Sequence, residues 1–171
     1  DIYGKSMIYH VWERAIKSEV GDVLVACCDK EVADYLRSNK IKYVNTRKNL
    51  RSGTDRVYDA IRIAGKLNSY KYVINLQGDL PNIDPVDIRR LVNHIKKNNS
   101  EIATLATKIK DSKKIKDKNI VKVAISKKNN TYKAIFFSRA AIPYSSPFYY
   151  EHVGIYAYDI AILERFIALK Q

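Results

Sequence analysis

Short apolar runs rich in β-formers alternate with stretches whose apolar residues recur every three or four positions, and this alternation restricts the fold more than any other feature of the sequence. Runs of the first kind are Val23 to Cys27, Tyr43-Val44 and Tyr72 to Leu76. Helical spacing appears in Met7, Ile8, Val11, Trp12, Ala15 and Ile16 behind a Ser6 N-cap, then in Val32, Ala33 and Leu36 behind Asp29. It returns in Val57, Ile61 and Ala64, ending near Gly65, after a glycine-containing turn at Arg51 to Thr54. Asp84 as N-cap with Pro85 at the first helical position opens a further helix through about Lys97. Strand and helix in turn are the mark of a mainly parallel sheet covered on both faces, because parallel neighbours need a crossover and helices supply it. The fold class is therefore α/β.

From Ala103 the pattern changes to one strand after another: Ala103 to Ile109, Val121 to Ile125, Tyr132 to Phe137 and His152 to Tyr158. A last helix follows from about Ile160 to Leu169. No internal repeat or low-complexity linker interrupts the chain, only a Lys-rich connection around Asp111 to Asn119 and a loop at Tyr144 to Tyr150. With 171 residues, 46% of them hydrophobic, one packed domain is the simplest division.

No apolar run reaches the roughly 20 residues of a membrane helix and no signal-like leader opens the sequence, so a soluble, untargeted protein without a membrane partner is expected. Cys27 and Cys28 are adjacent, poorly placed to bridge each other, and offer no metal-knuckle spacing; a cytosolic, cytoplasmic location fits. The formal charge of +13 raises nucleic acid as a partner. Yet 21 of the 31 cationic residues are Lys, and the densest stretch, Lys108 to Lys133, has ten Lys, no Arg and no regular aromatic interleaving. Base-stacking platforms use such aromatics, so the stretch reads as a solvated surface and nucleic acid is not the expected partner.

In open parallel sheets ligands sit beyond the carboxyl ends of strands. Asp79 is so placed, after the Tyr72 to Leu76 run and Gln77-Gly78, with Leu80-Pro81 stiffening the turn. A carboxylate there can hold a hard cation such as Mg²⁺; the alternative use, capping the next helix, already belongs to Asp84. Ser52-Gly53-Thr54-Asp55-Arg56 is either an ordinary capped turn or a polar ligand's cradle of amides, hydroxyls and a guanidinium. Arg139, directly after an apolar strand, suits a bidentate carboxylate clamp or a surface salt bridge. His152 opens a strand and is structural or functional, whereas His10 and His94 fit helix patterns and read as structural.

Six pieces in register carry a resemblance. They are Asp1-Ile2-Tyr3-Gly4-Lys5-Ser6-Met7-Ile8 with His10-Val11-Trp12-Glu13-Arg14-Ala15; Ser52 to Arg56; Asn75-Leu76-Gln77-Gly78-Asp79-Leu80-Pro81; Ala103-Thr104-Leu105-Ala106; Phe137-Ser138-Arg139-Ala140-Ala141-Ile142-Pro143; and His152-Val153-Gly154-Ile155-Tyr156-Ala157-Tyr158. Their order and spacing resemble the 3-deoxy-manno-octulosonate (Kdo) cytidylyltransferase family over nearly the whole chain. The resemblance implies a Rossmann-like nucleotidyltransferase three-layer sandwich and cytidylyl transfer from CTP to Kdo, giving CMP-Kdo and pyrophosphate for lipopolysaccharide biosynthesis. It implies Asp79 and Arg139 as catalytic residues, with Asp79 a Mg²⁺ ligand, and Ser52, Gly53, Thr54 and Arg56 beside the nucleotide. Gln77, Arg139, His152 and Tyr156 would face the sugar acid, with Arg139 answering its carboxylate. A homodimer joined through the strand and loop region around 112–150 is also implied.

Against that pattern the sequence starts after the family's first strand and phosphate loop and stops before an Asp-Thr-Pro-Glu-Asp element, so this segment alone is expected to be inactive. Leu80 stands where the family has Glu after Gly-Asp, and the Pro143 to His152 loop is short. Two other readings remain: an acylneuraminate cytidylyltransferase, sharing the fold and the strand-end Asp, and a non-catalytic remnant that dimerises or binds nucleic acid. The Phe-Ser-Arg-Ala and His-Val-Gly-Ile-Tyr pieces favour Kdo.

Overall fold

A computed structural model describes residues 1–128 and 131–169. Six helices and seven strands follow one another as α1 (Met7–Ser18), β1 (Val25–Cys27), α2 (Lys30–Ser38), β2 (Tyr43–Asn45), α3 (Gly53–Ile63), β3 (Tyr72–Leu76), α4 (Pro85–Asn98), β4 (Ile102–Lys108), α5 (Ser112–Lys116), β5 (Lys122–Lys128), β6 (Thr131–Ser138), β7 (Tyr150–Asp159) and α6 (Ile160–Ile167) among these residues. They pack as two compact units, one of Asp1–Ala103 with the chain from Ile155 on, the other of Thr104–Gly154.

The first unit is α/β. Its helices start where side chains satisfy the free amides of the first turn: Ser6 accepts from Tyr9 N, Ser52 from Asp55 N and Asp84 from Val86 N, with Pro85 next in line. Asp29 precedes α2 but makes no such side-chain bond. α4 ends on Asn99 in the left-handed region, φ 46°, and turns Ile88, Leu91, Val92 and Ile95 inward at helical spacing. β1 and β2 pair in parallel, Ala26 opposite Val44. Behind them Val25, Cys27, Ala33, Leu36 and Ile41 form a core against which Ile8, Tyr9 and Trp12 of α1 pack.

The mainly parallel sheet read from the sequence holds at β1 and β2 and fails at β3. That strand pairs antiparallel with β7, Asn75 opposite Tyr156 and Leu76 opposite Ile155. The reason is topological: β7 arrives from the strand-rich segment, not through a βα crossover, and so is free to run the other way. Ile155, Ala157 and Tyr158 of β7 are buried in this unit.

The second unit is built on the β5–β6 hairpin. Lys122 pairs with Ser138 and Lys128 with Thr131, and the register shifts between Ala124 and Ile125 so that Ile135 is the extra residue of a β-bulge. Lys122 also stands opposite Glu151 of β7. The Lys-rich connection contains a short helix missed by periodicity, α5, capped by Asp111 on Lys113 N. The stretch read as a solvated Lys surface has an exception, Lys122, which is 0% exposed because three main-chain carbonyls enclose its ammonium. Cys27 is buried, Cys28 partly so, and both are free thiols. Among the described residues no helix is long and apolar enough to cross a membrane.

Candidate active site

The site residues fall into two groups, one in each unit. In the first unit the chain leaves β3 through Gln77 and turns over Gly78 and Asp79, Leu80 N bonding Gln77 O at 3.3 Å. Asp79 is exposed, and among the described residues its carboxylate has no hydrogen bond or ion pair. A Cβ added at Gly78 would meet Ile8 Cδ1 at an ordinary 3.7 Å, so packing does not demand the glycine there. No group of three or more His, Cys, Asp or Glu able to hold a metal occurs among the described residues.

The turn of Ser52 to Arg56 is held from three sides. Ser52 Oγ accepts from Asp55 N and donates to Asp55 Oδ2 at 2.6 Å, so this serine caps α3 itself. Thr54 Oγ1 accepts from Asn75 Nδ2 at 3.4 Å and lies 3.4 Å from the Tyr158 hydroxyl. Arg56 Nη1 donates to Thr46 Oγ1 at 2.7 Å and to Arg47 O at 3.2 Å, tying α3 to the end of β2. Gly53 faces Asn75, whose Nδ2 would lie 4.0 Å from an added Cβ. Tyr156, opposite Asn75 in the register, stacks on Tyr158 with ring centres 5.8 Å apart. Burial raises the phenol pKa of both. Ser52, Gly53, Thr54 and Tyr156 are thus brought around Asn75, two residues before Gln77.

In the second unit Arg139 and His152 lie on either side of β5. Arg139 follows Ser138 of β6 and His152 follows Glu151 of β7, the two partners of Lys122. The Arg139 side chain is exposed and its Nη1 donates to Lys118 O at 2.8 Å and Asn119 O at 3.3 Å. His152 N donates to Val121 O, its Nε2 is 2.9 Å from Thr104 Oγ1, and its ring meets Phe137 edge-on at 5.1 Å. Burial pulls its pKa below the usual histidine value, so the ring is neutral near pH 7. His10 bonds Ile2 O and His94 lies beside the Asn98 amide, both local structural contacts.

Asn75, Tyr158, Thr104 and Lys122 support these residues and were not singled out from sequence. Asn75 left a signal, a lone amide inside the apolar run Tyr-Val-Ile-Asn-Leu; so did Lys122, a cation between Val121 and Val123. For Tyr158 and Thr104 there was none beyond their place in the motifs.

Comparison with known proteins identifies the class first: the α/β chain is a nucleotidyltransferase. It belongs to the cytidylyltransferase family, whose profile matches residues 1–171. It is 36% identical to the 3-deoxy-manno-octulosonate cytidylyltransferase of Paramagnetospirillum magneticum, covering 100% of this chain and 70% of that protein. It is 40% identical to the protein of the same name from Chelativorans sp., covering 99% and 69%. A solved structure of CMP:2-keto-3-deoxy-manno-octonic acid synthetase complexed with CTP superposes with a TM-score of 0.88 at 34% identity, over 100% of this chain and 70% of that one.

Proposed function

We propose that the protein transfers the cytidylyl group of CTP to 3-deoxy-D-manno-octulosonate, releasing pyrophosphate. The observation that carries the proposal is the exposed Asp79 carboxylate beyond β3, unpartnered among the described residues and four positions after the Asn75 that anchors the Ser52 to Arg56 turn. Likeness to the Kdo enzymes along the full chain supports the choice of substrates. The anomeric hydroxyl oxygen of the sugar acid forms the new bond to the α-phosphorus. The bond from that phosphorus to the bridging oxygen breaks, pyrophosphate leaves with the electron pair, and the hydroxyl proton passes to solvent. No covalent enzyme intermediate is needed.

In this reading the Ser52 to Arg56 turn lies against the nucleotide, with Gly53 leaving room for the ligand and Thr54 fixed by Asn75 and Tyr158. Gln77 and Tyr156 contact the sugar. Arg139 meets its carboxylate with the part of its guanidinium fork not spent on Lys118 and Asn119, since arginine presents five donors in a plane. His152, held against Thr104 and Phe137, would line the sugar-acid side. Asp79 would hold Mg²⁺, which when bound would neutralise charge on the triphosphate and favour the ionised nucleophile. The finer architecture that goes with the reading is a Rossmann-like three-layer sandwich, and the product would feed lipopolysaccharide synthesis in the cytoplasm.

A homodimer belongs to the same proposal. β6 leaves Tyr132, Ile135, Phe136 and Phe137 exposed, apolar surface of the kind that a second copy covers.

The deciding experiment measures pyrophosphate release by the full-length protein with Mg²⁺ and CTP. Release should require Kdo; equal turnover with N-acetylneuraminate would replace this reading by the acylneuraminate enzyme. Tight single-stranded nucleic acid binding at about 0.15 M salt, falling steeply with added salt, would favour the non-catalytic reading.

A further inference from the structure

The burial of Lys122 has no place in the roles assigned so far. It opens β5 at 0% exposure, and its Nζ donates to Asp117 O at 2.8 Å, Ile120 O at 2.8 Å and Arg139 O at 2.6 Å. A lysine ammonium has three donors and no acceptor, so the whole group is spent on main-chain carbonyls. Lysine is rarely buried to this degree without a reason beyond filling space, and a space-filling role would be served as well by an apolar side chain of the same length.

The acceptors form a pattern. Lys122 takes the carbonyls of Asp117 and Ile120, while Arg139 Nη1 takes those between them, Lys118 O at 2.8 Å and Asn119 O at 3.3 Å. One turn of four consecutive carbonyls is thus divided between two cations. Lys122 also grips the carbonyl of Arg139 itself, and the β5–β6 register sets it opposite Ser138, the residue before Arg139. Arg139 is held twice by this arrangement, once at its backbone by Lys122 and once at its guanidinium by a turn that Lys122 holds.

We propose that Lys122 is a positioning residue for Arg139, fixing the 117–120 turn and the Arg139 backbone so that the guanidinium keeps one nitrogen on the turn and presents the rest of its fork to a substrate carboxylate. The proposal rests on the reading in which Arg139 binds the carboxylate of the keto sugar acid. Without the Lys122 ammonium the four carbonyls lose their common anchor, Arg139 samples several directions, and the ordering cost falls on substrate binding.

The test uses the full-length protein with Lys122→Met, Lys122→Arg, Arg139→Ala and the Lys122→Met, Arg139→Ala double variant. Amide hydrogen exchange, read without substrate, should quicken roughly tenfold or more in 117–121 and 139–140 of Lys122→Met and stay unchanged in α4. The KM for Kdo should rise about 10- to 100-fold while the KM for CTP stays within about twofold. In the Arg139→Ala background, Lys122→Met should add less than about twofold to the Kdo KM, because the residue it acts through is gone. Lys122→Arg, which keeps the charge, should recover part of the loss, and it carries the test if the methionine variant fails to fold.

Equal rises in both KM values, losses that multiply in the double variant, or unchanged exchange at 117–121 would each overturn the proposal. If the unaltered protein uses no Kdo at all, the functional reading fails by itself, and the exchange measurement still decides whether Lys122 orders the Arg139 segment.

Discussion

Asp79 and Asp59 are both carboxylates of the first unit, and their surroundings give them opposite roles. Asp79 is exposed and unpartnered among the described residues, so Asp79→Asn should change stability by no more than about 0.5 kcal/mol. Turnover should fall by roughly 10²–10³ or more if it stabilises charge in the reaction. The pair of measurements is a thermal midpoint and a pyrophosphate-release rate; retained turnover would remove Asp79 from the site. Asp59 is 1% exposed and accepts from Arg62 Nη2 at 2.8 Å and from Arg47 N at 3.2 Å, with Arg47 Nη2 at 3.3 Å. The Arg62 hydrogen bond, followed by the Arg47 contacts, holds its pKa below the usual 3.8. Asp59→Asn should cost about 1–3 kcal/mol, read from the denaturation midpoint. Because the folded pKa is the lower one, that stability is fully present above about pH 4 and is lost as pH falls through the folded pKa.

His152 runs in the same sense for a different reason, burial in place of hydrogen bonds from arginines. Burial lowers its pKa from the usual 6.5, so between that value and its folded pKa the unfolded chain binds the extra proton. Stability therefore drops as pH falls below about 6.5. His152→Gln should flatten this part of the stability profile, and a slope identical to that of the unaltered protein would show that His152 is not its source.

At the scale of elements, α4 illustrates how a local signal and a packing demand agree. Asp84 caps the first turn, Pro85 fits a position that needs no amide donor, and Ile88, Leu91, Val92 and Ile95 make one buried stripe. Asp84→Ala should cost about 1 kcal/mol and Ile95→Ala about 2–5 kcal/mol, both measured by chemical denaturation; a larger cost for Asp84→Ala would mean that the cap, not the stripe, dominates. The strands are a different case. Runs such as Tyr72 to Leu76 were legible because they are short and rich in β-forming apolar residues, although only Asn75 of β3 is fully buried. The direction of a strand's neighbour leaves no mark on it, which is why the antiparallel pairing of β3 with β7 is not legible in either run. α5 escaped because five residues, four of them polar, carry no stripe.

For the whole molecule, the charge of +13 and the strand-rich second unit are where composition and architecture meet. If a second copy covers β6, Phe136→Lys places a charge on a residue 64% exposed in the isolated chain. It should then halve the mass seen in sedimentation with little loss of stability. An unchanged mass would leave the apolar surface of β6 without a dimer role.

The order of helices and strands apart from α5, the capped starts of α1 and α4, the inward faces of the helices and the place of Asp79 beyond an apolar strand were determined by the sequence alone. Each depends on residues within a few positions of one another, where periodicity and capping act. The tertiary structure alone decided that Asn75 and Tyr158 brace Thr54, that β7 runs against β3, and that Lys122 is buried beneath Arg139. Those outcomes depend on carbonyls and side chains from distant parts of the chain, and a polar group's burial is settled by which partners the packing delivers to it.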